Sequence, residues 1–193
     1  MPVAFPSHQG VILPLWRRFP RAIDGVAVSV GAAMPDVIDA MAWPFRGRLG
    51  QWMGHSLVGT FACVLVGLPL VWACRRFLPA RWIARLDVGA PARPARAMVA
   101  RFAIPEGVGR AMISLAIGSL SHVLSDLVTH ANCLLFWPGP EPDLFPAWWS
   151  HAWTHVALPI YREPYPIAPH WVSWLLFTVG GAISFWWCVR PRK

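Results

Sequence analysis

A chain of 193 residues that is 56% hydrophobic and only 13% charged, with thirteen Trp, falls far short of the roughly 25% charge usual in soluble domains. That excludes an ordinary soluble protein and points to lipid, and the length fits a single membrane domain over residues 1–193, since each helical span uses about 20 residues. The formal charge of +8 rests on sixteen Arg and one Lys lying in loops between apolar runs, so it reads as membrane topology rather than as nucleic-acid binding.

The opening MPVAFPSHQG has no basic segment followed by an apolar core, so no cleaved signal peptide is expected. A first hydrophobic segment covers about residues 11–35; within it residues 23–34 (IDGVAVSVGAAM) form a short or partial span ending at Pro35. Residues 57–74 and 171–189 each run 18 to 19 residues without a charge and are long enough to cross a membrane. Residues 111–136 begin apolar and continue as SHVLSDLVTHANCLLF, which predicts that His122, Asp126 and His130 face the bundle interior rather than lipid. The expected fold is an all-α integral membrane bundle of about four hydrophobic segments.

Loop charges orient it. Residues 75–110 hold eight Arg against Asp87 and Glu106 and form a cytoplasmic linker, while residues 137–170 carry Glu141, Asp143 and Glu163 against Arg162 and belong on the outer side. A multi-pass protein of the inner membrane follows, with membrane lipid as its surroundings. In the outer loop, PAWWSHAWTHVALP fits a short interfacial helix with His151 and His155 on one face. The cysteines Cys63, Cys74, Cys133 and Cys188 form no CxxC pair and read as packing residues.

Tracing helix direction brings three polar clusters to the outer side: Asp36 and Asp39 after the first segment, His55 before the second, and His122, Asp126 and His130 in the third. Small residues share those stripes: Gly25, Ser29, Ala32 and Ala33 in the first, Gly59, Cys63 and Gly67 in the second, Ser114 and Gly118 in the third. Small residues four apart let membrane helices approach closely. Imidazole and carboxylate ligands suit zinc, manganese or iron better than copper(I). On a straight helix His122 and Asp126 are about 6 Å apart in height and His122 and His130 about 12 Å, so the first pair is the natural clamp and His130 serves something else. The same residues also fit a structural polar cluster, or a proton-relaying subunit with no enzyme activity.

The opening MPVAFPSHQGVILPL, Pro35-Asp36 after a small-residue helix, His55-Ser56 at the head of a long span, and SHVLSDLVTH together resemble a bacterial membrane family, a domain of unknown function whose members start with Met-Pro and a Pro-Ser-His motif. That family is similar in turn to the YdjM-like inner-membrane proteins, described as membrane-bound metal-dependent hydrolases, and distantly to zinc-dependent phospholipase C. The resemblance implies metal ligands at His8, Asp36, His55, His122 and Asp126, with His130 nearby. It implies one or two divalent metals, zinc foremost, whose bound water attacks a phosphoester or other ester of a lipid-linked substrate. Asp39 and His130 are then the candidate catalytic groups, and Asp39 or Asp126 is the general base where it is not a ligand. Gly54 precedes His55 where relatives often carry Thr, and no His follows Asp39; both departures bear on a two-metal assignment. For His8 to reach Asp36, the intervening chain must form a hairpin with Arg17, Arg18 and Arg21 at its cytoplasmic bend and Ser7 capping its first helix.

Overall fold

In lipid an uncharged apolar run must satisfy its backbone internally, and a helix does this within one segment. The computed structural model describes residues 6–42, 44, 53–77, 105–130, 134–140, 144–157 and 164–189. Among these it forms six α-helices: α1 (Ser7–Arg18), α2 (Gly25–Gly31), α3 (Met34–Ala42), α4 (Leu57–Phe77), α5 (Pro105–Thr129) and α6 (Pro169–Val189). Three are long and apolar enough to cross a membrane, and α2 with α3 makes a fourth candidate, bent by 42° at its break. The protein is an all-α membrane bundle. Phe61, Leu65, Leu176 and Ile183 project outward from α4 and α6, as lipid-facing positions do.

Helix directions follow from the contacts. α2 and α5 run side by side in the same sense: the Asp24 N–H donates to Ser114 Oγ at 2.9 Å, and Ser119 Oγ donates to the Gly31 carbonyl at 3.0 Å. α4 runs against both, so that Arg75 near its end ion-pairs with Asp24 while His55, just before its start, meets His122. α1 opposes α2 and lies parallel to α6, with Ser7 Oγ donating to Thr178 O at one end and the Arg17 guanidinium over the Trp187 ring at the other. The result is a bundle with an arginine end and a histidine end.

Several expectations need correction. Pro35 does not stop the first segment. It is the second residue of α3, where a missing N–H is harmless because the first turn has no intrahelical acceptor. Its effect falls four residues back, on Gly31, whose carbonyl loses its helical donor and takes Ser119 instead. Ser7 is the first residue of α1 rather than its cap, and its hydroxyl is spent on α6. The third segment leaves the helix after Thr129, short of Phe136; the Leu57 N–H donates to Leu135 O at 2.9 Å, and α5 begins at Pro105, inside the expected linker. PAWWSHAWTHVALP is not a helix: a single 3-10 turn at Ala147–Trp149 gives way to a strand, Thr154–Val156 (β1), paired antiparallel with Tyr165–Ile167 (β2). His155 lies in β1, and both it and His151 are exposed. Cys133 and most of the Arg-rich linker lie outside the described residues; Cys63, Cys74 and Cys188 are free thiols in packed positions.

Close helix approach depends on glycine. A Cβ on Gly118 would stand 2.3 Å from the Val28 carbonyl oxygen, and one on Gly181 would stand 2.3 Å from that of Ser7. Gly181→Ala is therefore expected to destabilise the detergent-solubilised protein by about 1–3 kcal/mol through overpacking. Gly180→Ala, whose Cβ meets nothing within 4 Å, should be neutral or slightly stabilising. Equal melting temperatures for the two variants would count against this α1–α6 packing.

Candidate metal centre

The histidine end is assembled by four elements. α5 presents His122 and Asp126 one turn apart on its buried face, 3.3 Å between His122 Nε2 and Asp126 Oδ2. The 3-10 turn Met53–His55 supplies His55, α3 supplies Asp36 and Asp39 from its first two turns, and α1 supplies His8. His8, His55, His122 and Asp126 are each at least 97% buried, whereas the Asp36 side chain is 37% exposed and marks the open side.

Each imidazole of the central pair is fixed through Nδ1. The broken helix leaves the Ala32 carbonyl outside a regular ladder, and His122 Nδ1 donates to it at 2.7 Å. His55 Nδ1 donates to Asp39 Oδ2 at 2.7 Å, and Asp39 Oδ1 accepts from the Gly54 N–H. A carbonyl and a carboxylate can only accept, so both rings carry hydrogen on Nδ1, and in their neutral forms both turn a lone pair outward from Nε2. Those two nitrogens face each other at 3.1 Å, with Asp126 Oδ2 at 3.0 Å from one and 3.3 Å from the other.

Three electron-rich atoms in so small a triangle repel unless positive charge lies among them. A tetrahedral zinc ion with bonds of about 2.0–2.1 Å holds its ligand atoms about 3.3 Å apart, close to the edges of this triangle. Asp36 Oδ1 is 3.5 Å from His55 Nε2 and 3.8 Å from His122 Nε2, on the exposed side. Both oxygens of Asp126 and Nε2 of His8 are buried without a hydrogen-bond partner among the described residues, although His8 Nε2 is 3.4 Å from Asp126 Oδ1. For the Asp126 oxygens and His8 Nε2, short distances without hydrogen-bond geometry are what ligands aimed at a common centre produce, while the two facing Nε2 atoms also meet the geometry of a hydrogen bond. The group can hold a metal ion.

The seven residues singled out from sequence thus fall into one cluster with different positions in it. His55, His122 and Asp126 form the triangle, and Asp36 stands at its open edge. His8 lies beside it, its ring stacked on that of His122 at 3.6 Å. His130 Nδ1 is 2.9 Å from Thr129 Oγ1 and 3.6 Å from Asp126 Oδ1, outside the triangle. Asp39 has one oxygen on His55 and the other on Gly54, which makes it an orienting carboxylate. The Ala32 carbonyl was not foreseen, because a backbone group leaves no residue signature; Pro35, which deprives Gly31 O of its donor, was the available hint of a broken ladder.

These motifs all lie within residues 1–138, which match the family described as Domain of unknown function (DUF4184). The chain belongs to that family. No curated protein and no solved structure matches the chain. The DUF4184 segment contains α1 to α5 and the whole cluster, from His8 to His130, whereas the β-hairpin and α6 lie beyond it.

Outer-sphere carboxylates on metal-bound histidines typically contribute 10–100-fold to affinity. Asp39→Asn should weaken metal binding by that factor, read by competition with a chromophoric chelator, while the protein stays folded. Unchanged affinity would show that Asp39 does not orient His55 for a ligand.

Proposed function

We propose that the cluster binds a divalent cation, zinc foremost and manganese or iron as alternatives, and that the protein is a membrane-bound metal-dependent hydrolase acting on a phosphoester or another ester of a lipid-linked substrate. The His55–His122–Asp126 triangle carries this reading. Two imidazole nitrogens and a carboxylate oxygen converge there, with both imidazoles anchored through Nδ1. The fourth side opens through Asp36 toward solvent, the arrangement of a catalytic rather than a closed structural site. A cation bound there would act as a Lewis acid and lower the pKa of a coordinated water.

The chain's own groups divide the remaining work. Asp39 and the Ala32 carbonyl orient the ligating rings. Asp36, the most exposed member, would hold the ion from the open side, where a substrate oxygen could reach it. Of the candidate bases, Asp39 is already occupied by His55 and Gly54 and Asp126 belongs to the triangle, which leaves the proton transfer to His130, partly exposed and close to Asp126. In this reading the bundle sits in a bacterial inner membrane. Its arginine end, with Arg17, Arg18, Arg75, Arg76 and Arg110, is cytoplasmic, and its histidine end is outward. A site at the outward end of membrane-spanning helices favours a substrate anchored in the bilayer with its ester at the surface.

The test is hydrolysis of phosphoester-bearing lipids by protein reconstituted in vesicles. Activity that disappears on chelation and returns with zinc or manganese is expected. Stoichiometric metal without hydrolysis of any ester lipid would discard the enzyme and keep the metal site; a stable protein that takes up no metal would leave the cluster structural.

A further inference from the structure

The triangle uses only one oxygen of Asp126. Its other oxygen, Oδ1, is equally buried and has no hydrogen-bond partner among the described residues, and the same holds for the atom it faces, Nε2 of His8. The His8 side chain is 4% exposed and the Asp126 side chain 2%. A second pair of unpartnered ligand atoms therefore lies beside the first set.

The stacking of their rings sets His8 apart from the ion of His122. An imidazole nitrogen donates its lone pair in the plane of the ring, and the rings of His8 and His122 are stacked with centroids 3.6 Å apart and planes 17° from parallel. An ion in the plane of one ring lies well out of the plane of the other. Two ions held in planes so offset are compatible with the roughly 3.5–4 Å that separates the ions of dinuclear hydrolytic sites. The carboxylates match this division: Asp126 offers Oδ2 to His55 and His122 and Oδ1 to His8. Asp36 has Oδ1 beside His55, and it also belongs to a second compact group with His8 and His122 whose ligand atoms all lie within 4.8 Å of one another.

We infer that the centre is dinuclear, with a second divalent cation held by His8 Nε2 and Asp126 Oδ1, and with Asp126 and Asp36 bridging it to the cation at His55 and His122. The inference rests on the metal reading of the cluster and narrows its substrate. A pair of ions at this spacing can stabilise both the attacking and the leaving oxygen of an in-line displacement at phosphorus, so a phosphoester is favoured over a carboxylic ester. It also gives α1 a purpose: Ser7 pins the helix to α6, and the Gly10–Gly181 contact admits it closely enough to seat His8.

Metal-free full-length protein in detergent, titrated with cobalt(II) and followed by electron paramagnetic resonance, tests this. Two equivalents are expected to bind to the wild type. The high-spin signal should grow through the first equivalent and diminish through the second as the two ions couple. His8→Gln should bind one equivalent and keep an uncoupled signal. A wild-type signal that saturates at one equivalent, or that grows without coupling to two, overturns the dinuclear assignment, as does a His8→Gln variant that still binds a coupled pair. If His8→Gln does not fold, the wild-type titration alone decides. Binding of no cobalt at all would instead sink the metal reading on which this inference rests.

Discussion

His122→Ala is expected to purify without its metal, its affinity reduced by more than the 10–100-fold assigned to outer-sphere groups, because the change removes a ligand rather than its support. Two further effects accompany it. The Ala32 carbonyl loses its donor, which costs about 1–3 kcal/mol for a buried acceptor left unsatisfied. The stabilisation that bound metal gives the native state also disappears, about 2.7 kcal/mol when free metal stands at 100 times the dissociation constant. Asp126→Asn separates these contributions. It preserves volume and the His122–Ala32 bond while removing the carboxylate that faces His8, His55 and His122, so zinc should no longer raise its melting temperature although its metal-free form melts near the wild type's. Metal content and melting temperature with and without zinc are the readouts. Retention of stoichiometric metal by both variants would show that the cation, if any, binds elsewhere.

At the other end of the bundle, Asp24→Ala is expected to produce the largest loss of stability that leaves the centre alone. The Asp24 carboxylate caps α2 by accepting from the Val26 and Ala27 N–H groups and ion-pairs with Arg75, with both side chains largely buried. Removing one partner of a buried pair typically costs 3–5 kcal/mol, because the remaining charge loses its compensation in a medium of low dielectric constant. Loss of the cap adds about 1 kcal/mol. For a chain of this length each kcal/mol corresponds to about 2–4 °C. Asp24→Asn keeps an oxygen for the cap and should recover part of the difference. Metal bound per folded molecule should be unchanged in both variants. A variant Asp24→Ala that melts within a degree or two of the wild type would show that the pair contributes little here.

How much of this was visible in the sequence depends on the kind of signal. The long helices were legible because uncharged runs in a chain of this composition have few alternatives. The small-residue stripes were legible in part: Gly118 packs on Val28 and Gly67 on Leu115 and Met34, but the Gly10–Gly181 contact joins residues 171 apart and has no local pattern. The broken span was hidden because proline reads equally as the end of one helix and as the first turn of the next. The Trp-rich loop misled because His151 and His155 have helical spacing over too few residues to outweigh the pairing of Thr154–Val156 with Tyr165–Ile167.

At the centre, the i,i+4 placement of His122 and Asp126 was readable directly, and helix direction brought Asp36 and His55 to the same end. The separate position of His130 followed from helix rise. Position within the cluster was not readable: Asp39 and Asp36 are one turn apart on α3, and only the register of α3 against Gly54 turns one to the back of His55 and the other to its front.

X-ray absorption at the zinc edge of the purified, zinc-loaded protein tests the central claim most directly. The account predicts a first shell of nitrogen and oxygen only, at about 2.0–2.1 Å, with the outer-shell scattering of imidazole. A shell containing sulfur near 2.3 Å, or one without imidazole scattering, would contradict it.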